Sequence, residues 1–196
     1  SQRLRDVINK NVTEEQILST LKEAERMGWQ QIKLYFMLGL PTETEEDVLA
    51  IAELANKAAR ETRLRLTVSV SHFVPQPYTP FQWESMEKRE NLKEKVYLLK
   101  KNLNYKKIKF NWHDPITSFM EGIFTRGDRR LSKAIEHAFY NGARFDGWSD
   151  YFSYSYWEKS FAETGINPEF YIRERYLSET LPWSHLDRRA SCRERV

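Results

Sequence analysis

Lys33–Thr44, KLYFMLGLPTET, decides how the chain is read. Leu34-Tyr35-Phe36-Met37-Leu38 is an apolar, aromatic-rich run too short to span a membrane, and it suits a buried strand. The run stops at Gly39 and passes Pro41, which cannot extend a central strand. It then reaches Thr44-Glu45-Glu46-Asp47, where Thr44 and Asp47 have the spacing of a helix capping box. Strand, short Gly-Pro loop and capped helix make one βα unit. Parallel α/β sheets bind ligands at the carboxyl ends of their strands, which makes Gly39–Glu43 the first candidate site.

Upstream, SQRLRDVINK opens directly in a helical pattern with Leu4, Val7 and Ile8 on one side. No start methionine or strand precedes it, so the chain is expected to begin within a fold. Thr13–Gln16 is a second capping box, followed by Ile17, Leu18, Leu21 and Ala24 and by Gly28 at a C-terminal cap position. After the central βα unit, whose helix should bury Val48, Ile51, Ala52, Ala55 and Ala59, comes the alternating strand Arg65–Phe73. Val74–Trp83, with three prolines, reads as an ordered loop leaving that strand. Glu84–Leu103 is an amphipathic helix and Lys107–Phe110 a short third strand.

Strands starting near 31, 65 and 107, separated by single helices, fit βα units of a parallel sheet or barrel. A closed barrel needs about eight strands, so either the sheet is small and open or half of it lies outside the sequence. From Asn111 the pattern becomes helical. Asp114-Pro115 reads as a helix start, Asp128 as the cap of a helix over Arg129–Asn141 ended by Gly142, and Phe145–Phe161 as aromatic packing surface. The expected organisation is a core over 1–111, a helical extension over 112–187 and a non-native tail over 188–196.

Composition narrows the function classes. The net charge of +3 resides in Arg188–Val196, where four arginines face one glutamate, so the body is neutral and has no basic footprint for nucleic acid. The single cysteine, Cys192, excludes a disulfide framework and a cysteine-based zinc or iron–sulfur site made by this chain alone. There is no apolar run of about 18 residues and no charged apolar leader, which points to a soluble, cytoplasmic protein without membrane partners.

Taken in order, SQRLRDVINK, the capped helix, YFMLGLPTETEED, the strand and FVPQPYTPFQW resemble the second half of a radical S-adenosylmethionine (SAM) enzyme core. The WHDP, RGDRR, GARFDGWSD and LPWSHLD segments extend the likeness to the uncharacterised radical SAM proteins that carry a cobalamin-binding domain ahead of the barrel. The resemblance implies an α/β fold, the C-terminal half of a TIM-like barrel followed by a helical appendage. It implies a whole enzyme that holds a four-iron four-sulfur (4Fe-4S) cluster and SAM, cleaves SAM reductively, and acts by radical or cobalamin-dependent chemistry on an unknown substrate, with an electron donor as partner.

By the same resemblance, Lys10 meets the SAM carboxylate. Phe36, Met37, Leu38 and Gly39 flank the adenine, and the backbone of Phe73, Val74 and Pro75 completes its pocket. Many relatives have glycine where this chain has Thr42. The family's C-x3-C-x2-C cluster motif is not in the sequence, so the chain alone is expected not to cleave SAM. The RRASCRERV tail resembles translated adapter read-through.

Outside the resemblance, Lys10 is an ordinary cation at a helix end, His113-Asp114 a capping arrangement, His72 a lone strand-end histidine, and Arg126–Arg130 a solvated turn rather than a phosphate clamp. The rival functions are a non-enzymatic α/β module that binds RNA or protein through its aromatic helical end, and a barrel hydrolase using His113 and nearby acids.

Overall fold

The computed structural model describes residues 1–104 and 106–186. The proposed non-native tail, 188–196, lies outside the described residues, as does Asp187. The chain divides into two compact units: Ser1–Phe73 with Glu87–Pro115, and Val74–Met86 with Ile116 onward. The sequence boundary expected at 111/112 therefore misses one feature. The proline-rich loop after the second strand belongs with the C-terminal helices.

The first unit contains α1 (Gln2–Val7), α2 (Glu14–Arg26), β1 (Gln31–Leu38), α3 (Glu45–Glu61), β2 (Arg65–His72), α4 (Arg89–Asn102) and β3 (Ile108–Trp112). The strands form one parallel sheet in the order β1-β2-β3, with Gln31 opposite Arg65 and Leu66 opposite Ile108. This is mixed α/β architecture with a small, open sheet. Thr13 and Thr44 both complete their capping boxes, to Gln16 and Asp47, so two orphan N–H groups are satisfied at each helix start.

Alternation along the strands decides the layers. Ile32, Leu34 and Phe36 of β1 pack with Leu64 and Leu66 against Leu54, Ala58 and Ala59 of α3 and Leu18 and Leu21 of α2. Leu38, Val68 and Val70 pack against Val48, Ile51, Ala52 and Ala55 of α3 and Leu92, Val96 and Leu99 of α4. The alanines let α3 approach the sheet closely, and all five residues expected on its inner face are buried. The opposite face of β1 carries Tyr35 and Met37, 75% and 39% exposed, so this strand is covered on one side only.

Two helix boundaries shift from the sequence reading. α1 stops at Val7 because Asn9 takes φ 55°, and Val7 is exposed rather than packed. α4 starts at Arg89 rather than Glu84. The N–H of Met86 goes to the carbonyl of Ile172, and the preceding residues follow that bond instead of a helical one.

The second unit contains α5 from Ile116 (the helix runs Pro115–Thr125), α6 (Leu131–Asn141), α7 (Tyr154–Thr164) and α8 (Glu169–Ile172). Phe119, Met120 and Ile123 of α5, Leu131, Ala134 and Ala138 of α6, Trp157 and Phe161 of α7 and Tyr171 and Ile172 close around Val74 and Met86. The proline-rich loop is ordered here: Tyr78 Oη donates to the carbonyl of Trp183 at 2.5 Å, and Trp183 Nε1 donates to Gln82 Oε1 at 2.8 Å. The N-cap of α6 is Arg130, not Asp128; Asp128 instead accepts the Arg130 N–H one step outside the helix.

Candidate functional site

The carboxyl end of β1 is built by its loop. Gly39 adopts φ 81°, and a Cβ there would lie 3.0 Å from both Glu87 Cβ and Leu92 Cδ2, so only glycine fits in conformation and in space. Its N–H donates to Glu43 Oε1 at 2.9 Å, which curls the loop back on itself. The Glu43 side chain is almost wholly buried and meets Lys95 Nζ at 2.8 Å, and Lys95 also meets Glu87 Oε2 at 2.9 Å. Burial alone would lower the Lys95 ammonium, but hydrogen bonds to Glu43 and Glu87 raise it. Burial likewise pushes the Glu87 carboxyl up, while Lys95, Asn91 and the Lys88 N–H hold it below the ordinary value. The loop is thus clamped to the start of α4.

On its other side the loop is tied to α1. Thr42 takes φ 64°, an unusual conformation for a β-branched residue. Arg3 holds it there, donating from Nη1 to Thr42 Oγ1 at 3.1 Å and from Nη2 to Thr42 O at 2.8 Å. Arg3 also pairs with Asp47, which accepts from Ser1 Oγ and the Thr44 N–H as well. Burial would raise the Asp47 carboxyl, yet these donors hold it well below the usual carboxylate range.

Between α1, the outer edge of β1 and this loop lies a cleft of about 430 Å³. Leu4, Ile8, Val12 and Leu40 give it apolar walls; Ser1, Arg5, Lys10, Glu43, Asp47 and Ser71 are its polar members. Of the residues named from the sequence, Lys10, Phe36 and Met37 line this cleft together. Lys10 reaches it from a turn beyond α1, its N–H bonded to Arg5 O at 2.7 Å, rather than from the last helical turn. Leu38 is fully buried in the core behind the cleft, and Gly39 faces Glu87 and Leu92. The Phe73 N–H is bonded to Leu38 O at 2.7 Å. Val74 packs in the core of the second unit and Pro75 is buried after it; neither is among the cleft's lining residues. A cleft with cations and carboxylates, serine hydroxyls and aromatic and thioether surface can hold a small zwitterionic ligand with a flat ring.

At the adjoining carboxyl ends, the His113 N–H continues the β3 ladder to Val70 O at 3.0 Å. His72 is buried, and desolvation first, then the neighbouring His113, lowers its pKa to about 4 against the pull of Asp114. It is neutral at physiological pH.

Sequence reading pointed to the loop but not to its fasteners. Arg3 and Lys95 lie about 40 and 50 positions away in the chain and carry no local signal. Positive φ at Thr42 has no signal in its own residue type, because a β-branched side chain rarely adopts it. Among the described residues no group of three or more His, Cys, Asp or Glu could hold a metal ion, and no helix is long and apolar enough to cross a membrane.

The chain is similar to an uncharacterized protein of Methanocaldococcus jannaschii, 33% identical over 138 residues that make up 70% of this chain and 30% of the relative. It therefore spans about 30% of that relative's length. The chain matches no protein-family profile, and no solved structure matches it.

Proposed function

We propose that this chain is the C-terminal part of a radical SAM barrel with its helical extension, and that its task in the whole, cytoplasmic protein is to hold SAM at the carboxyl end of β1. The observation that carries the reading is the cleft in which Lys10, Phe36 and Met37 meet beneath the clamped Gly39–Glu43 loop. The three parallel βα-linked strands support it, because a TIM-like barrel repeats that unit about eight times. So does β1, whose outer edge pairs with no strand among the described residues.

When bound in the whole protein, SAM would supply an organic radical. The residues of this chain would orient it. The Lys10 ammonium suits the ligand's carboxylate, Phe36 and Met37 give an aromatic base an apolar border, and the loop fixes the end of the strand that carries them. The described residues include no cysteine, so they do not fit the cluster, and its ligands, the cobalamin domain and the contact with an electron donor are assigned to the rest of the whole protein.

The test has two steps. Long-read sequencing of the source DNA should find an upstream open frame encoding C-x3-C-x2-C. The protein extended to include it should bind SAM, with Lys10→Ala weakening binding about tenfold in equilibrium dialysis. A stop codon and ribosome site immediately before Ser1, or SAM affinity unchanged by Lys10→Ala, overturns the reading.

A second reading is favoured by the exposed aromatics of the second unit, Phe145, Trp148 and Tyr151 at 71%, 68% and 64%. They would make the unit a non-enzymatic docking module, and the neutral body favours a protein over RNA as its partner. That reading predicts that Trp148→Ala abolishes partner capture while SAM has no effect.

A further inference from the structure

The Arg126–Arg130 turn, RGDRR, is built more firmly than a solvated turn requires. Arg126 is fully buried and held by carbonyls, donating from Nη1 to Glu84 O at 2.8 Å and from Nη2 to Arg173 O at 3.0 Å. Arg175, 4% exposed, donates from Nη2 to Arg126 O at 2.9 Å and lies 5.3 Å from the centre of the Trp183 ring. The Nε of each has no hydrogen-bond partner among the described residues. The acid nearest to Arg175, Glu179, stands 3.9 Å away and is already gripped by both terminal nitrogens of Arg173. Two buried guanidiniums thus share part of one carboxylate, and a buried charge left short of its counterion is costly.

Arg175 also joins two turns, through the Arg126 carbonyl on one side and the Trp183 ring on the other. Those turns flank an open cleft of about 490 Å³, lined by Gly127, Asp128, Arg129 and Arg130 from the first and by Pro182 and His185 from the second. Among the described residues the one acid in the lining, Asp128, is occupied. Arg130 Nη2 meets it at 2.6 Å, and Tyr171 Oη donates to it at 3.5 Å. Arg129 and His185 are exposed, and α6 starts here, its first N–H groups bonded within the turn to Asp128 and Arg129. Among the described residues, the cleft therefore combines two exposed donors with two buried, under-paired guanidiniums that tie its flanking turns.

We propose that this cleft binds the phosphate group of a small molecule, with Arg129 and His185 contacting the anion and Arg126 and Arg175 supplying the field that attracts it. A dianion offsets two under-paired guanidiniums better than a single carboxylate, and guanidinium geometry matches phosphate oxygens in pairs. The site does not depend on the SAM reading, because every residue in it belongs to the second unit.

The 196-residue protein is titrated calorimetrically with inorganic phosphate, and separately with glycerol phosphate, at constant ionic strength balanced by chloride. Saturable binding is expected, weakened about tenfold or more in the doubly substituted Arg129→Gln, His185→Gln protein. Tighter binding of the ester assigns the site to a phosphorylated metabolite, and equal affinities assign it to free phosphate; both support the chemistry. In the unsubstituted protein, phosphate should also slow phenylglyoxal modification of Arg129, read by peptide mass spectrometry, which keeps the test valid if the variant misfolds. Absence of saturable binding, equal binding by a folded variant, or binding of single-stranded oligonucleotide without response to either phosphate overturns the proposal.

Discussion

The two units satisfy their buried backbone in different ways. In the first, β1, β2 and β3 exchange N–H and C=O bonds in register, and capping boxes close the starts of α2 and α3. Its core can be almost wholly apolar. In the second, short helices and loops leave carbonyls at Gln82, Glu84, Arg126 and Arg173 without a ladder, and two guanidiniums answer them. A parallel sheet satisfies itself by repetition, whereas irregular chain needs long, multidentate side chains brought from elsewhere. The first arrangement distributes stability over many small terms, and the second concentrates it in a few residues.

That contrast breaks most sharply at Arg126. Arg126→Met removes the donor to three carbonyls at once, which outweighs the relief of one under-paired buried charge, and should destabilise the protein by about 4 kcal/mol. Chemical denaturation followed by tryptophan fluorescence measures it; a loss below about 1 kcal/mol would mean that the carbonyls are satisfied in another way.

The first unit has its own concentrated point, His72. Its folded pKa of about 4 lies below the ordinary value of 6.5. The unfolded chain takes up a proton that native His72 refuses, so stability is full above pH 6.5 and falls as the pH drops toward 4. The full change is up to about 3 kcal/mol, and His72→Gln should flatten this part of the stability–pH curve. An unchanged slope in the variant would assign the acid sensitivity to other groups.

Gly39→Ala should cost about 2 kcal/mol, from positive φ and crowding against Glu87 and Leu92. An unchanged thermal midpoint would show that the loop relaxes freely. The smallest effect has the opposite sign. Thr42→Gly relieves φ 64° at the expense of one exposed hydrogen bond from Arg3, and should add roughly 1 kcal/mol. A lower midpoint would show that Arg3 outweighs the strain.

The same contrast explains what could be read in advance. Period-two strands, Thr-x-x-Gln and Thr-x-x-Asp caps and the alanine face of α3 are local patterns, so the sheet, its order of elements and the loop at the end of β1 were legible. Leu38 ends β1 and Gly39 opens its loop, and alternation alone does not show that neither lines the cleft bordered by Phe36 and Met37. The clamps made by Arg3 and Lys95 join residues far apart in the chain, and no window of sequence contains both ends. Arg126 reads as surface charge because arginine usually is; its burial follows from three carbonyls on two other segments.

The interleaving of the units bears on how the protein is made. Val74–Met86 leaves the ribosome between β2 and α4, yet its packing partners begin only at Ile116. The first unit in turn waits for β3 to complete its sheet. During synthesis at about 5–20 residues per second, the proline-rich segment therefore stays without its partners for seconds. Residues such as Val74 and Met86 are then open to chaperones and proteases, and a single cut in that segment would sever both units at once.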